Sequence, residues 1–256
     1  MNQDYKNHIS QALKKNVRSD GRKNDEFRKI KIETGVIATA EGSARITCGN
    51  TEVIAGVKMS LGTPYPDKPN EGVLMTGAEL HPMSNPTYES GPPKENSIEI
   101  ARVIDRGIRE SGTIDTKSLC IEKGEKVWMI SLDISPINMD GNLIDLGTLA
   151  GMAALKNAKF PEMKDGVVDY KHKSKKSLPI SKTPIEVTVF KIGDNLIVDP
   201  TFEEEQLVDA RLTVAVLEDG DLCALQKGGD IPLMQDDVFK MVDLAIKKSK
   251  ELRKLL

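Results

Sequence analysis

Apolar and polar positions alternate with several different periods along this chain. Over residues 5–15, Ile9, Ala12 and Leu13 recur at helical spacing in a polar segment, which predicts a short amphipathic helix. It stops before Arg18-Ser19-Asp20-Gly21-Arg22, a charged, turn-forming stretch. Extended segments follow. Phe27, Ile30 and Ile32 lead into Gly35-Val36-Ile37-Ala38-Thr39-Ala40, read as a strand, and residues 43–48 and 52–57 flank Gly49-Asn50, a hairpin signal. Between Gly62 and Pro93 seven prolines interrupt every period. That predicts a long irregular segment, of a length that suggests a role at an interface.

Helical spacing returns at Ser97 and runs to about Glu110, with Ile100, Ala101, Ile104 and Ile108 as the apolar stripe. A strand is expected over 127–134. Asp140-Gly141-Asn142 then opens a second helix reaching about Ala158. Leu143, Ile144, Leu146, Leu149, Met152 and Leu155 make that helix apolar nearly all round, so it should be buried on most sides. Lys171, Lys173, Lys175 and Lys176 mark a polar, basic linker. Beyond it, residues 185–192 and 196–198 pair across Gly193-Asp194-Asn195, and 210–217 and 221–226 pair across Asp219-Gly220. A last helix spans about 236–255, with Val238, Met241, Val242, Ala245 and Leu252 on its buried side. Strands followed by helix, twice over, make an α+β chain with an internal structural repeat. Its 256 residues suit one large domain or two fused half-domains.

Charge narrows the function classes. The formal net charge is −3, which argues against a free-standing nucleic-acid binder but permits a local basic patch or a shared groove. Cys48, Cys120 and Cys223 lie far apart without a C-x-x-C pair, giving neither a disulfide framework nor a zinc site. With His8, His81 and His172 equally scattered, no metal and no cofactor are expected. The segment from Met1 to Lys6 has no apolar leader, and no apolar run approaches the ~20 residues that span a bilayer. A cytoplasmic chain without membrane contact is the expectation.

Several side chains invite two readings. Arg102, Arg106 and Arg109 stand at i, i+4 and i+7 and share one helix face away from the isoleucines. That face is either solvated, with Asp105 and Glu110 nearby, or a ridge for phosphates. The lysines of 171–176 suit a solvated loop, with attraction of a polyanion such as nucleic acid as the alternative. Asp199, Glu203, Glu204 and Glu205 read as an acidic surface turn rather than a metal site. Asp133 and Asp140 are expected to end a strand and cap a helix. Trp128, the one tryptophan, belongs to a core or an interface.

Five segments in order carry a resemblance: Arg18-Ser19-Asp20-Gly21-Arg22, Cys48-Gly49-Asn50-Thr51-Glu52-Val53, Ser97-Ile98-Glu99-Ile100-Ala101-Arg102, Asp140-Gly141-Asn142 and Asp199-Pro200-Thr201. Together they resemble the RNase PH family over nearly the whole chain, and within it the non-catalytic ring subunits of the archaeal exosome. The resemblance implies an RNase PH-like fold of two β-α half-domains with a core like domain 2 of ribosomal protein S5. Residues 1–26 would form an N-terminal helix and extension, 27–165 and 185–256 the half-domains, and 166–184 the basic linker. It also implies a hexameric ring of three heterodimers with a catalytic RNase PH-type partner, a trimeric cap of S1/KH-type RNA-binding subunits, and single-stranded RNA as ligand.

Phosphorolysis needs a held orthophosphate and an acid for the departing 3′ oxygen. Where catalytic relatives carry two phosphate-binding arginines, this chain has Glu95 and Asn96. Where they carry Asp-Gly-Gly-Thr/Ser-Arg, it has Asp140-Gly141-Asn142-Leu143-Ile144. Where they end on Glu-Ala-Asp, it has Asp209-Ala210-Arg211, and an arginine stays protonated and donates no proton at neutral pH. The resemblance therefore implies no catalytic residue here, with phosphate used in the partner's active site. It also implies that arginines at the Arg102 and Arg106 positions hold the RNA backbone. The rival reading is a self-sufficient phosphate-dependent 3′→5′ exoribonuclease. A β-α protein without any RNA role would require the ordered motifs to be accidental.

Overall fold

A computed structural model describes residues 3–164 and 166–256. Met1 and Asn2, part of the segment in which no apolar leader is expected, lie outside the described residues, as does Asp165, where the sequence reading ends the first half-domain. The chain opens with helix α1 (Gln3–Lys14). A sheet follows, built from β1 (Ile30–Thr34), β2 (Gly42–Cys48), β3 (Thr51–Gly62), β4 (Val73–Ala78), β5 (Cys120–Glu122) and β6 (Lys126–Asn138). Its order is β1-β2-β3-β6-β4, with β5 on β6; β4 alone runs parallel to its neighbour. Helices α2 (Glu95–Glu110) and α3 (Leu143–Asn157) belong to this unit. A two-stranded hairpin, β7 (Lys159–Lys164) and β8 (Val167–Ser177), leads to a second sheet. That sheet contains β9 (Ile185–Ile192), β10 (Asn195–Val198), β11 (Ala210–Val216) and β12 (Leu222–Gly228), ordered β10-β9-β11-β12 and antiparallel throughout. A single-turn helix α4 (Phe202–Glu205) precedes β11, and α5 (Gln235–Arg253) closes the chain against β9 and β11.

The all-round apolar helix is buried for a topological reason. Every residue of α3 from Leu143 to Leu155 is inaccessible, because the helix packs on β2 and β3 of the first sheet and on β9 of the second. The strand comes very close. A Cβ at Gly42 would lie 2.3 Å from the Ala154 carbonyl oxygen, so any side chain there would push β2 off the helix. One continuous core consequently runs from Ile46 and Ile134 through Leu149 to Val187 and Met241. Cutting Ile104, fully buried against this core, to alanine should cost about 2–5 kcal/mol. Trp128 lies in the same core, edge-on to Phe160 with ring centroids 5.3 Å apart.

Four local expectations need correction. Gly35–Ala40 is not a strand: Gly35 turns at φ +71 and β1 has already ended at Thr34. The proline-rich segment contains β4, whose Val73, Leu74 and Ala78 are buried beside β6. Asp133 does not end a strand; β6 continues to Asn138, and Pro136 is accommodated where the ladder with β3 shifts register. The basic stretch Lys171–Lys176 is not a linker but part of β8, paired with β7.

Candidate functional site

Two neighbouring hollows lie along α2. One is a groove lined by Glu95, Ile98, Glu99, Arg102, Arg106 and Gln226, between α2 and the edge strand β12. Burial of Val103, Ile104, Gly107 and Ile108 turns the opposite face of α2 outward, which is why Arg102 and Arg106 are exposed. Arg106 reaches across to β12, its Nη1 donating to the Leu225 carbonyl at 3.3 Å and to Gln226 Oε1 at 3.4 Å. Arg102 makes no ion pair or hydrogen bond among the described residues. Arg109 behaves differently: Nη2 donates to Asp105 Oδ1 at 2.9 Å and to the Leu74 carbonyl at 3.2 Å. Its charge is matched within its own helix. The three arginines share one face, yet only two remain open to a phosphate.

The second hollow, about 260 Å³, sits at the N-terminus of α3 and is lined by Tyr88, Asn96, Glu99, Asn142, Glu205 and Arg211, among others. Free backbone N–H groups at a helix start make a natural anion seat. Here the chain fills it with its own carboxylate: Glu205 Oε1 accepts the Asn142 N–H at 2.7 Å. Burial pushes the Glu205 carboxyl up to about 7, against the lowering effect of that N–H and of Arg211 and Arg28. At the mouth, Arg211 pairs with Glu99 at 2.7 Å, joining β11 to α2. Glu95 and Asn96 occupy the exposed first turn of α2. Asp209 turns away, pairing with Lys6 of α1 and accepting the Gly193 N–H at 2.7 Å. Among the described residues, the lining of the hollow thus includes two glutamates, one arginine paired with Glu99 and no free cation to hold a phosphate.

What fixes these loops is a cluster the sequence reading takes for a surface turn. Asp199 is wholly buried, in a left-handed backbone conformation at φ +47. It accepts from Arg28 Nη2 at 2.7 Å, Arg28 Nε at 2.9 Å, Arg22 Nη1 at 2.9 Å and Asn142 Nδ2 at 3.0 Å. Burial alone would raise its carboxyl, but Arg28 holds it below the usual aspartate range. Arg18, also buried, ties Glu204 to the Val198 and Asp199 carbonyls. Asp140 caps α4 through the Phe202 N–H at 3.2 Å, while α3 begins at Asn142. Gly141 is obligatory there: at φ +88, a Cβ would lie 2.2 Å from the Pro200 carbonyl oxygen. Among the described residues, no cluster of three or more His, Cys, Asp or Glu could hold a metal, and no helix is long and apolar enough to cross a membrane. The sequence reading names Asp199, Glu204 and Glu205 only as a surface turn and Glu99 only within a motif, and misses that the fold buries Asp199 and Glu204 and brings Glu205 and Glu99 to one hollow. A local signal for the turn was Thr201-x-x-Glu204, a capping box that the structure realises.

Two sheet-and-helix units, joined through α3 and carrying the site loops at their junction, define the class. The chain matches the models of the 3′ exoribonuclease family over both domains, domain 1 at residues 26–161 and domain 2 at 182–248. It belongs to the RNase PH family. Among curated relatives, the exosome complex component Rrp42 of Thermoplasma acidophilum is 48% identical over 248 residues, 97% of this chain and 93% of that protein. That of Methanothermobacter thermautotrophicus is 47% identical over 246 residues, 95% of this chain and 91% of that protein. A solved structure of the Archaeoglobus fulgidus exosome with RNA bound to the active site contains a chain of 45% identity, aligned with a TM-score of 0.90. The alignment covers 98% of this chain and 97% of that one.

Proposed function

We propose that this chain is an exosome subunit without chemistry of its own, which holds RNA and completes the active site of a catalytic RNase PH-type partner. The observation that carries the reading is the Glu205 carboxylate on the Asn142 N–H, where an orthophosphate would have to sit. A phosphate dianion approaching that seat meets Glu205 and Glu99 and no unpaired cation among the described residues that line the hollow, and negative charge on either carboxylate repels it. The position of the acid is held by Arg211, already committed to Glu99. Arg102 and Arg106, by contrast, offer charge-assisted contacts to any phosphate, which suits a complex that degrades RNA of any sequence. Arg109, paired with Asp105, contributes least.

In this reading three copies alternate with three partner chains in a closed ring, leaving no unsatisfied heterologous face. A trimeric S1/KH-type cap feeds single-stranded RNA to the ring in the cytoplasm, and the partner's site uses the phosphate. The test is direct: the chain alone, given RNA and phosphate, should release no nucleoside diphosphate. The complex with its partner should do so from the 3′ end.

A further inference from the structure

Away from α2, the β7–β8 hairpin gathers positive charge on a chain that is acidic overall. Four lysines fall within six residues, 171–176. Lys171, Lys173 and Lys175 are exposed and form no ion pair among the described residues. Lys173 pairs with Pro161 in the ladder, while Lys171 and Lys175 fall in the two irregular stretches on either side of it, so three unpaired ammonium groups crowd one short exposed segment.

The hairpin is also shaped. Its ladder pairs Pro161 with Lys173 and Glu162 with Asp169, so Tyr170, Lys171 and His172 are expelled as a bulge. Asp169 organises that bulge: Oδ1 accepts the Lys171 N–H at 3.0 Å, and Oδ2 accepts from Lys164 Nζ at 2.8 Å and lies 2.9 Å from His172 Nδ1. Tyr170 projects from the bulge 52% exposed, with the Lys58 ammonium 5.5 Å from its ring centroid. The base is anchored, since Phe160 packs on Trp128 and carries the Lys176 ammonium 4.9 Å from its ring centroid. Lys58 is itself paired with Glu41, but Lys171 and Lys173, close to Tyr170 in the chain, are unpaired. An exposed aromatic with unpaired cations close by on a fixed base is the combination that single-stranded nucleic acid uses: bases stack on the ring and phosphates follow the charges. A purely solvated lysine face would not require the ordered bulge or the exposed ring.

We propose that this hairpin is a second contact for single-stranded RNA, with Tyr170 as a stacking face and Lys171, Lys173 and Lys175 on the backbone. The inference rests on the reading that the chain holds RNA, and adds a contact on an element separate from α2.

The experiment measures binding of a fluorescent 30-nucleotide oligoadenylate to the full chain, alone and in complex with its catalytic partner, across salt concentrations. Variants are Tyr170→Ala, the triple change Lys171→Ala/Lys173→Ala/Lys175→Ala, and Arg102→Ala/Arg106→Ala. Each hairpin variant should bind about fivefold or more weakly with unchanged thermal melting, and the triple variant should also show a flatter salt dependence. Thiouridine-substituted RNA should crosslink within residues 167–177. Parent-like binding by both hairpin variants, with the Arg102/Arg106 variant weakened, overturns the inference and leaves the proposed function standing. Parent-like binding by all three variants removes the RNA-holding reading itself. If the triple variant loses RNA and polyglutamate equally while Tyr170→Ala changes nothing, the surface serves an acidic protein segment, and the RNA assignment fails.

Discussion

Glu205 and Asn142 meet across the two half-domains, the carboxylate of α4 accepting the N–H that opens α3 at 2.7 Å. On the proposed reading, a side chain that stays neutral at every pH should remove the repulsion from the ionised carboxylate, seen best above about pH 7, without restoring chemistry. In Glu205→Gln, orthophosphate should raise the melting temperature beyond a chloride control of equal ionic strength, whereas the parent should show no such difference. An identical response in both proteins would mean that Glu205 does not guard the seat.

The salt bridge between Asp199 and Arg28 is buried and shared with Arg22 and Asn142. Removing one partner of such a cluster strands the others. Asp199→Ala should lower unfolding stability by about 3–5 kcal/mol, measured by urea denaturation. An exposed pair such as Lys31–Glu33 should contribute no more than about 1 kcal/mol.

Stability should also depend on pH through the packing of α2 and α3 on β9. Glu186 accepts from Thr148 Oγ1 and lies against the Gly107 backbone, and Asp145 Oδ1 accepts the Thr188 N–H at 2.8 Å. Burial raises both carboxyls, that of Glu186 to about 8. Between the ordinary glutamate value and about 8, the folded chain therefore binds more protons than the unfolded chain. Raising pH through that window removes stability. Asp199 acts oppositely: its lowered carboxyl stabilises above the ordinary aspartate value and loses that contribution as pH falls further. The melting temperature should thus decline from about pH 5 to about pH 9, and Glu186→Gln should flatten the decline. A parent whose melting temperature rises over the same interval would show that these acids are not protonated when folded.

The exposed arginines give a graded expectation. Each charge-assisted contact is worth about 1.5–3 kcal/mol before solvent discounting, so on the proposed reading Arg102→Ala/Arg106→Ala should weaken RNA binding by the proposed ring at least tenfold and flatten its salt dependence. Arg109→Ala should change affinity far less, since Asp105 already neutralises that side chain. Ring assembly, followed by light scattering, should survive all three changes, because none of these side chains belongs to the buried stripe of α2.

Much of the fold was legible because local signals agreed with the tertiary result. Gly49-Asn50 and Asp219-Gly220 marked their hairpins, and the nearly all-round apolar surface of α3 announced a helix buried on most sides, which β2, β3 and β9 cover. Strand β4 was hidden because its neighbours are prolines and glycines and its stability comes from β6 rather than from its own pattern. Strand β8 was hidden because lysines on an exposed hairpin read as linker. At the site, the departures at Glu95, Asn96, Asn142 and Arg211 were visible as residues. Their consequence was not: whether Glu205 faces solvent or caps α3 depends on Asp199, Arg18 and Arg28, which only the fold brings together.

The decisive measurement is nucleoside diphosphate release from a 3′-ended RNA with orthophosphate, using the chain purified without any partner and then the reconstituted complex. The chain alone should release none, and adding the catalytic partner should start phosphate-dependent shortening from the 3′ end. Phosphorolysis by the partner-free chain, abolished by changing Glu205 or Arg211, would contradict the non-catalytic reading at its root.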